Sequence, residues 1–213
     1  MVRLWAAITR RETKMPPSDA DLCRIVARSY TSATWWAGEL SALYTMADEG
    51  YSVFAIPGTK REIGEWLRDF DAWPTWDATL GICHAGFCAG AWELYRRIPF
   101  SHFSAKIIVG HSLGGALALL LGGILSVEQV APITVVTFGA PRCGSWKLRR
   151  LLSPIAVRSY RNGDDPVPDV PWLPGVYLHP RRQIEIGTPA ADPLADHHIG
   201  AYERALGALE CDA

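Results

Sequence analysis

The pentapeptide Gly110-His111-Ser112-Leu113-Gly114 stands between a short run, Lys106 to Val109, and an apolar stretch, Ala116 to Leu125. The first suits a buried parallel strand and the second a buried helix. A G-x-S-x-G string at such a junction is a nucleophile elbow. A strand-to-helix turn this tight strains its central residue, and side chains two positions to either side would strike neighbouring backbone. Gly110 and Gly114 remove those side chains. Ser112 then stands at a helix N-terminus, where free N–H groups and the helix dipole favour negative charge, with the Leu113 N–H as one oxyanion donor. Gly115 and Ala116 let the helix sit close against its strand.

A serine hydroxyl is a poor nucleophile at neutral pH. It needs an imidazole to take its proton and a carboxylate to orient that imidazole. In α/β-hydrolases the chain order is serine, acid, histidine. The acids after Ser112 include Asp164, Asp165, Asp169, Glu185, Asp192 and Asp196, and the later histidines are His179, His197 and His198. Asp164 also suits a turn beside Asn162-Gly163. His179, His84 and His111 read more simply as structural partners than as bases.

The segments FAIPGT, EWLRDF, CHAGF, GHSLGGA, FGAPRCG, NGDDPVPDVP, YLH and DHHIGAY occur in this order between about Val53 and Tyr202. In them the chain resembles the class 3 (fungal-type) lipase family. The resemblance implies an α/β-hydrolase-like fold, a Ser-Asp-His triad, and ester substrates such as triacylglycerols, phospholipids, monoacylglycerols or feruloyl esters. It assigns the acid to Asp165, in Asp165-Pro166-Val167-Pro168, carried by the loop after a strand from Ile155 to Tyr160; Asp164 is the alternative. Pro166 replaces an aliphatic residue there. The base is His197, after Asp196 and before a helix containing Tyr202, with His198 as the alternative.

The resemblance also makes Thr59 the second oxyanion donor, through its N–H and hydroxyl, because Gly58-Thr59 stands where the family has Arg-Gly-Thr or Arg-Gly-Ser. Pro57 replaces the arginine, and alone Pro57-Gly58-Thr59 would read as a turn. Lys60 to Phe70 occupies the place of the family's mobile lid. Ile63, Trp66, Leu67 and Phe70 recur there at helical spacing among charges, a pattern able to cover a cleft, touch a lipid surface, or simply form a surface helix. Its shortness and charge favour small or partly soluble esters over bulk triglyceride.

These residues need a scaffold. Strand-like and helix-like segments alternate along the chain, which predicts one α/β domain over residues 1–213, with a mostly parallel central sheet flanked by helices on both faces. Ser18 and Asp21 mark the start of a helix over Asp19 to Ser29. Trp35 to Met46 shows helical spacing and predicts a second helix, ending at Gly50. Ser52 to Ile56 predicts a strand halted by Pro57-Gly58, and Ala85 to Arg97 a helix stopped before Pro99.

Composition narrows the classes. A net charge of −1, from 21 basic and 22 acidic residues, lacks a nucleic-acid-binding footprint. Lys147, Arg149 and Arg150 read as the solvated face of a short helix. The histidines and acids lack metal-ligand spacing, so no metal or organic cofactor is expected. No apolar run reaches the ~20 residues needed to span a bilayer, leaving at most transient contact with a lipid interface. Five cysteines without C-x-x-C spacing predict reduced thiols, and with the charged N-terminal segment they point to the cytoplasm. Nine tryptophans are expected chiefly in the core. The rival functions are an inactive hydrolase fold that binds lipid or a partner, and a thioesterase, feruloyl esterase or peptidase using the same triad.

Overall fold

The computed structural model describes residues 16–37, 40–46, 51–59, 63–68, 73–103, 106–129 and 133–211. In chain order the elements are α1 (Asp19–Ser29), β1 (Trp35–Ala37), β2 (Leu40–Met46), β3 (Ser52–Ile56), α2 (Ile63–Arg68), β4 (Pro74–Asp77), β5 (Gly81–His84) and α3 (Ala85–Arg97). Then follow β6 (Lys106–His111), α4 (Leu113–Val127), β7 (Ile133–Phe138), α5 (Trp146–Leu151), β8 (Ala156–Asn162), β9 (Ile184–Ile186), α6 (Pro193–Asp196) and α7 (Ile199–Cys211). Seven strands form one sheet in the order β1-β2-β3-β6-β7-β8-β9. The β1–β2 and β2–β3 pairings are antiparallel, and the other four are parallel.

The alternation of side chains along each strand divides the core into two layers. Phe54, Ile56, Ile108 and Val135 face α3 and α4. Val53, Ala55, Ile107, Val109, Val136 and Phe138 face α1 and α7. Both faces of the inner strands are therefore buried, as a parallel sheet covered by helices requires. Helix α4 is apolar almost all round because α3 and α5 cover the side turned away from the sheet; its Leu117, Leu119, Leu120, Leu121 and Ile124 are fully buried.

Helix α1 has the predicted bounds. Its first turn is capped by the Ser18 hydroxyl, which accepts from the Asp21 N–H. Asp19 fastens this end to β8 through two bonds from Arg158, at 2.7 and 2.6 Å, and one from the Tyr160 hydroxyl. A fork of this kind fixes direction as well as position.

One expected helix is absent. Trp35 and the residues to Met46 that the structure describes form β1 and β2 instead. Leu40, Ala42 and Tyr44 face one core layer while Leu43 faces the other, a period of two rather than 3.6. Trp35 and Tyr44 pack against Phe54, and Phe100 and Phe103 pack on Phe54 in turn, at ring separations of 4.9 to 6.0 Å. These partners lie far away in sequence, and their packing overrides local helical spacing.

The tryptophan expectation is also corrected: Trp73, Trp76, Trp146 and Trp172 are each more than 60% exposed. Lys147 lies on α5, where Arg149 and Arg150 are exposed, as a solvated face requires. No helix among the described residues is long and apolar enough to cross a membrane.

Candidate active site

Strand β6 delivers the chain to Ser112, whose φ of 56° and ψ of −127° place it outside the usual L-residue regions. The turn is held by the Ser112 N–H donating to the Phe138 carbonyl at 3.0 Å and by the Gly115 N–H donating back to the Ser112 carbonyl at 2.9 Å. Both elbow glycines are required by space. A Cβ on Gly110 would lie 2.1 Å from the Gly114 carbonyl oxygen, and one on Gly114 would lie 2.0 Å from that of Ile56. Leu113 opens α4, so its N–H has no partner one turn back within the helix.

The loop after β8 presents the acid. Asp165 is fully buried, and its carboxylate is saturated with donors: Val167 N–H to Oδ1 at 2.9 Å, the Tyr202 hydroxyl to Oδ2 at 2.6 Å, and the His197 Nδ1 to both oxygens. Burial, and then the Asp165 charge, push the Tyr202 hydroxyl well above its ordinary pKa, so it remains a donor. Asp164 does not reach the imidazole; its N–H instead donates to Asp196 Oδ2 at 2.9 Å. His198 is exposed, whereas His197 is buried. The structure thus pairs Asp165 with His197 rather than either alternative.

Two further residues, Asp196 and Gly139, shape the site. Asp196 ties the acid loop to the histidine turn, since its Oδ2 accepts from Asp164 and Ala190 and its carbonyl from Asn162. Gly139 lies beneath the pair at φ 58°, where a Cβ would meet Asp165 Oδ2 at 2.7 Å and His197 Nδ1 at 3.0 Å. Asn162-Gly163 signals a tight turn, but not contacts across the site.

Ser112 is 2% exposed and His197 4% exposed. Neither Ser112 Oγ nor His197 Nε2 makes a hydrogen bond among the described residues, so the structure does not join the nucleophile to the base. Gly58 touches the elbow: a Cβ there would lie 2.7 Å from Ser112 Cβ. Thr59, partly buried, follows directly. Of the expected lid, only residues 63–68 lie within the described set, and Gly64 faces Leu194, on the turn that leads to His197.

Two other histidines have structural partners. His179 donates from Nε2 to the Pro168 carbonyl at 2.6 Å, and His84 caps α3 while stacking on Phe87. Among the described residues no group of His, Cys, Asp or Glu is placed to hold a metal ion.

Comparison with known proteins sets this geometry in context. Residues 53–174 match the family described as Lipase (class 3). The secreted mono- and diacylglycerol lipase 1 of Fusarium solani is 30% identical over 129 residues, which cover 55% of this chain and 38% of that one. The phospholipase A1 EG1 of Oryza sativa subsp. indica, described as chloroplastic/mitochondrial, is 38% identical over 77 residues, covering 34% of this chain and 17% of its own. The chain thus spans well under half the length of these relatives. The lipase of Rhizopus microsporus var. chinensis superposes with a TM-score of 0.61 at 20% identity, covering 80% of this chain and 75% of that one, and is a likeness of fold.

The cytoplasmic expectation is corrected by these relatives, of which one is secreted and another belongs to organelles. The thiols gave no true guide to compartment. Cys23, Cys83, Cys88 and Cys143 are free and buried, where a thiol serves as a small apolar side chain.

Proposed function

From the premise that the chain belongs to the class 3 lipase family, we propose that it is a serine carboxylic-ester hydrolase acting through Ser112, His197 and Asp165. The observation that carries this reading is the buried Asp165–His197 pair, 2.8 Å apart, beside a strained serine at a helix N-terminus. In the cycle, His197 Nε2 takes the proton of Ser112 as Oγ attacks the ester carbonyl. Asp165 keeps Nδ1 protonated and stabilises the imidazolium. The Leu113 N–H and Thr59 hold the oxyanion. His197 then protonates the leaving alcohol, and water, activated by the same imidazole, releases the acid from the acyl-enzyme.

The serine is closed over, so substrate entry requires a covering segment to move. The nearness of α2 to the turn before His197, where a Cβ on Gly64 would lie 3.6 Å from Leu194 Cδ1, supports α2 as part of that cover, within a lid at about 60–70. Around substrate the His197 imidazole closes on Oγ, since catalytic hydrogen bonds often tighten only in the complex. A short, charged lid favours short-to-medium-chain esters, with transient contact at a lipid interface. The test is a chain-length series of p-nitrophenyl esters assayed below and above micelle formation. Turnover that rises at the micellar threshold supports a working lid, and indifference to it removes the lid from the mechanism.

The lack of a Ser112–His197 hydrogen bond favours one rival, an inactive fold that binds lipid or a partner. A fluorophosphonate probe separates the two, because only an activated serine reacts with it.

A further inference from the structure

Two segments of the proposed active site meet at the Tyr30 side chain outside it, and a third joins them through His111. The Gly58 N–H donates to the Tyr30 hydroxyl oxygen at 2.9 Å, and that hydroxyl lies 2.5 Å from His111 Nδ1. His111 Nε2 lies 2.7 Å from the His197 carbonyl oxygen. The proton directions in this chain follow from its two ends. A carbonyl only accepts, so His111 must carry its proton on Nε2. Burial, and then the neighbouring His197, hold His111 well below the ordinary histidine pKa, so the ring has one proton and Nδ1 is a bare acceptor. Tyr30 must then donate to Nδ1. Its oxygen is left to accept from Gly58, and the hydroxyl stays protonated because burial raises its pKa to about 12.

Each link abuts a residue of the proposed chemistry. Gly58 precedes Thr59, His111 precedes Ser112, and the carbonyl belongs to His197 itself. Tyr30 is the C-cap of α1, whose other end is fastened to β8 by Asp19. The fit around Gly58 is close, since a Cβ there would lie 2.7 Å from the Tyr30 hydroxyl.

We infer that Tyr30 and His111 are positioning residues of the active site: through the chain Gly58 N–H, Tyr30 hydroxyl, His111 imidazole and His197 carbonyl they lock the oxyanion loop, the elbow and the base into one register. They touch no reacting atom. Their effect falls on alignment, where a displacement of about 1 Å can cost ~10²-fold in rate. The inference rests on the hydrolase reading, but its proton directions do not.

Tyr30→Phe keeps the ring and removes only the hydroxyl. With p-nitrophenyl butyrate we expect kcat to fall about 10²-fold with KM nearly unchanged, and fluorophosphonate labelling to slow in step. A variant that turns over and labels at the wild-type rate overturns the inference. So does a loss confined to KM. If the wild-type protein itself fails to label, the hydrolase reading falls instead. A second measurement needs no variant: proton–nitrogen NMR of the wild-type protein should show His111 as the neutral Nε2–H tautomer at neutral pH and below the ordinary histidine pKa of 6.5, with a slowly exchanging Tyr30 hydroxyl proton. An Nδ1–H tautomer or an imidazolium would overturn the proposed chain even if Tyr30→Phe does not fold.

Discussion

His197 presents Nδ1 to both oxygens of Asp165, at 3.0 and 2.8 Å, with the carboxylate fully buried. Asp165→Asn would put an amide where His197, Val167 and Tyr202 all donate, and would free the imidazole to take the wrong tautomer. We expect kcat to drop about 10⁴-fold. An Asn variant with full activity on p-nitrophenyl butyrate would return the acid role to Asp164.

Ser112→Ala removes the nucleophile and leaves the elbow's backbone bonds to Phe138 and Gly115 in place. Turnover should fall by up to ~10⁶-fold while the circular dichroism spectrum and melting temperature stay near those of the parent. Retained ester turnover would refute the assignment outright.

Gly139→Ala tests the floor of the site. At φ 58° the added methyl is strained whatever the space, by about 1–2 kcal/mol. It would also press on Asp165 Oδ2 and His197 Nδ1. We expect a lower melting temperature together with slower probe labelling. Slower labelling should persist at temperatures where the variant is fully folded, and wild-type labelling there would show that the pair tolerates the push.

Stability should depend on pH through His111 and His179. Burial lowers the folded pKa of both below the ordinary 6.5. Below pH 6.5 the unfolded chain therefore binds protons that the folded chain refuses, so their contribution is complete above that pH and is lost as pH falls from it. Each histidine gives a slope of up to about 1.4 kcal/mol per pH unit. Urea midpoints between pH 7.5 and 5.5 should decline accordingly; a flat profile would mean that the folded protein protonates both rings freely.

The scaffold was legible wherever local rules acted alone. Helix α1 carries its own cap and α3 its own stops, and both have the expected bounds. The elbow was legible because its glycines answer to backbone sterics within five residues. The β1–β2 pair was not, since Trp35 and Tyr44 owe their conformation to Phe54 and, through Tyr44, to Phe103. Nor was the closed state of Ser112, which depends on how distant loops fold over it. Tyr30 left no mark in the sequence at all. Its role appears only when α1 brings it beside Gly58 and His111, 28 and 81 residues away.

The sheet ends on both sides in strands of only three residues, Trp35–Ala37 and Ile184–Ile186. A foreign strand seeking to extend it would find a template too brief to reward the ordering of another chain. The long, apolar inner strands, which would aggregate readily if they lay outermost, are thus kept from intermolecular contact by their neighbours' brevity. Lengthening either border strand would be expected to bring self-association before it brought any gain in stability.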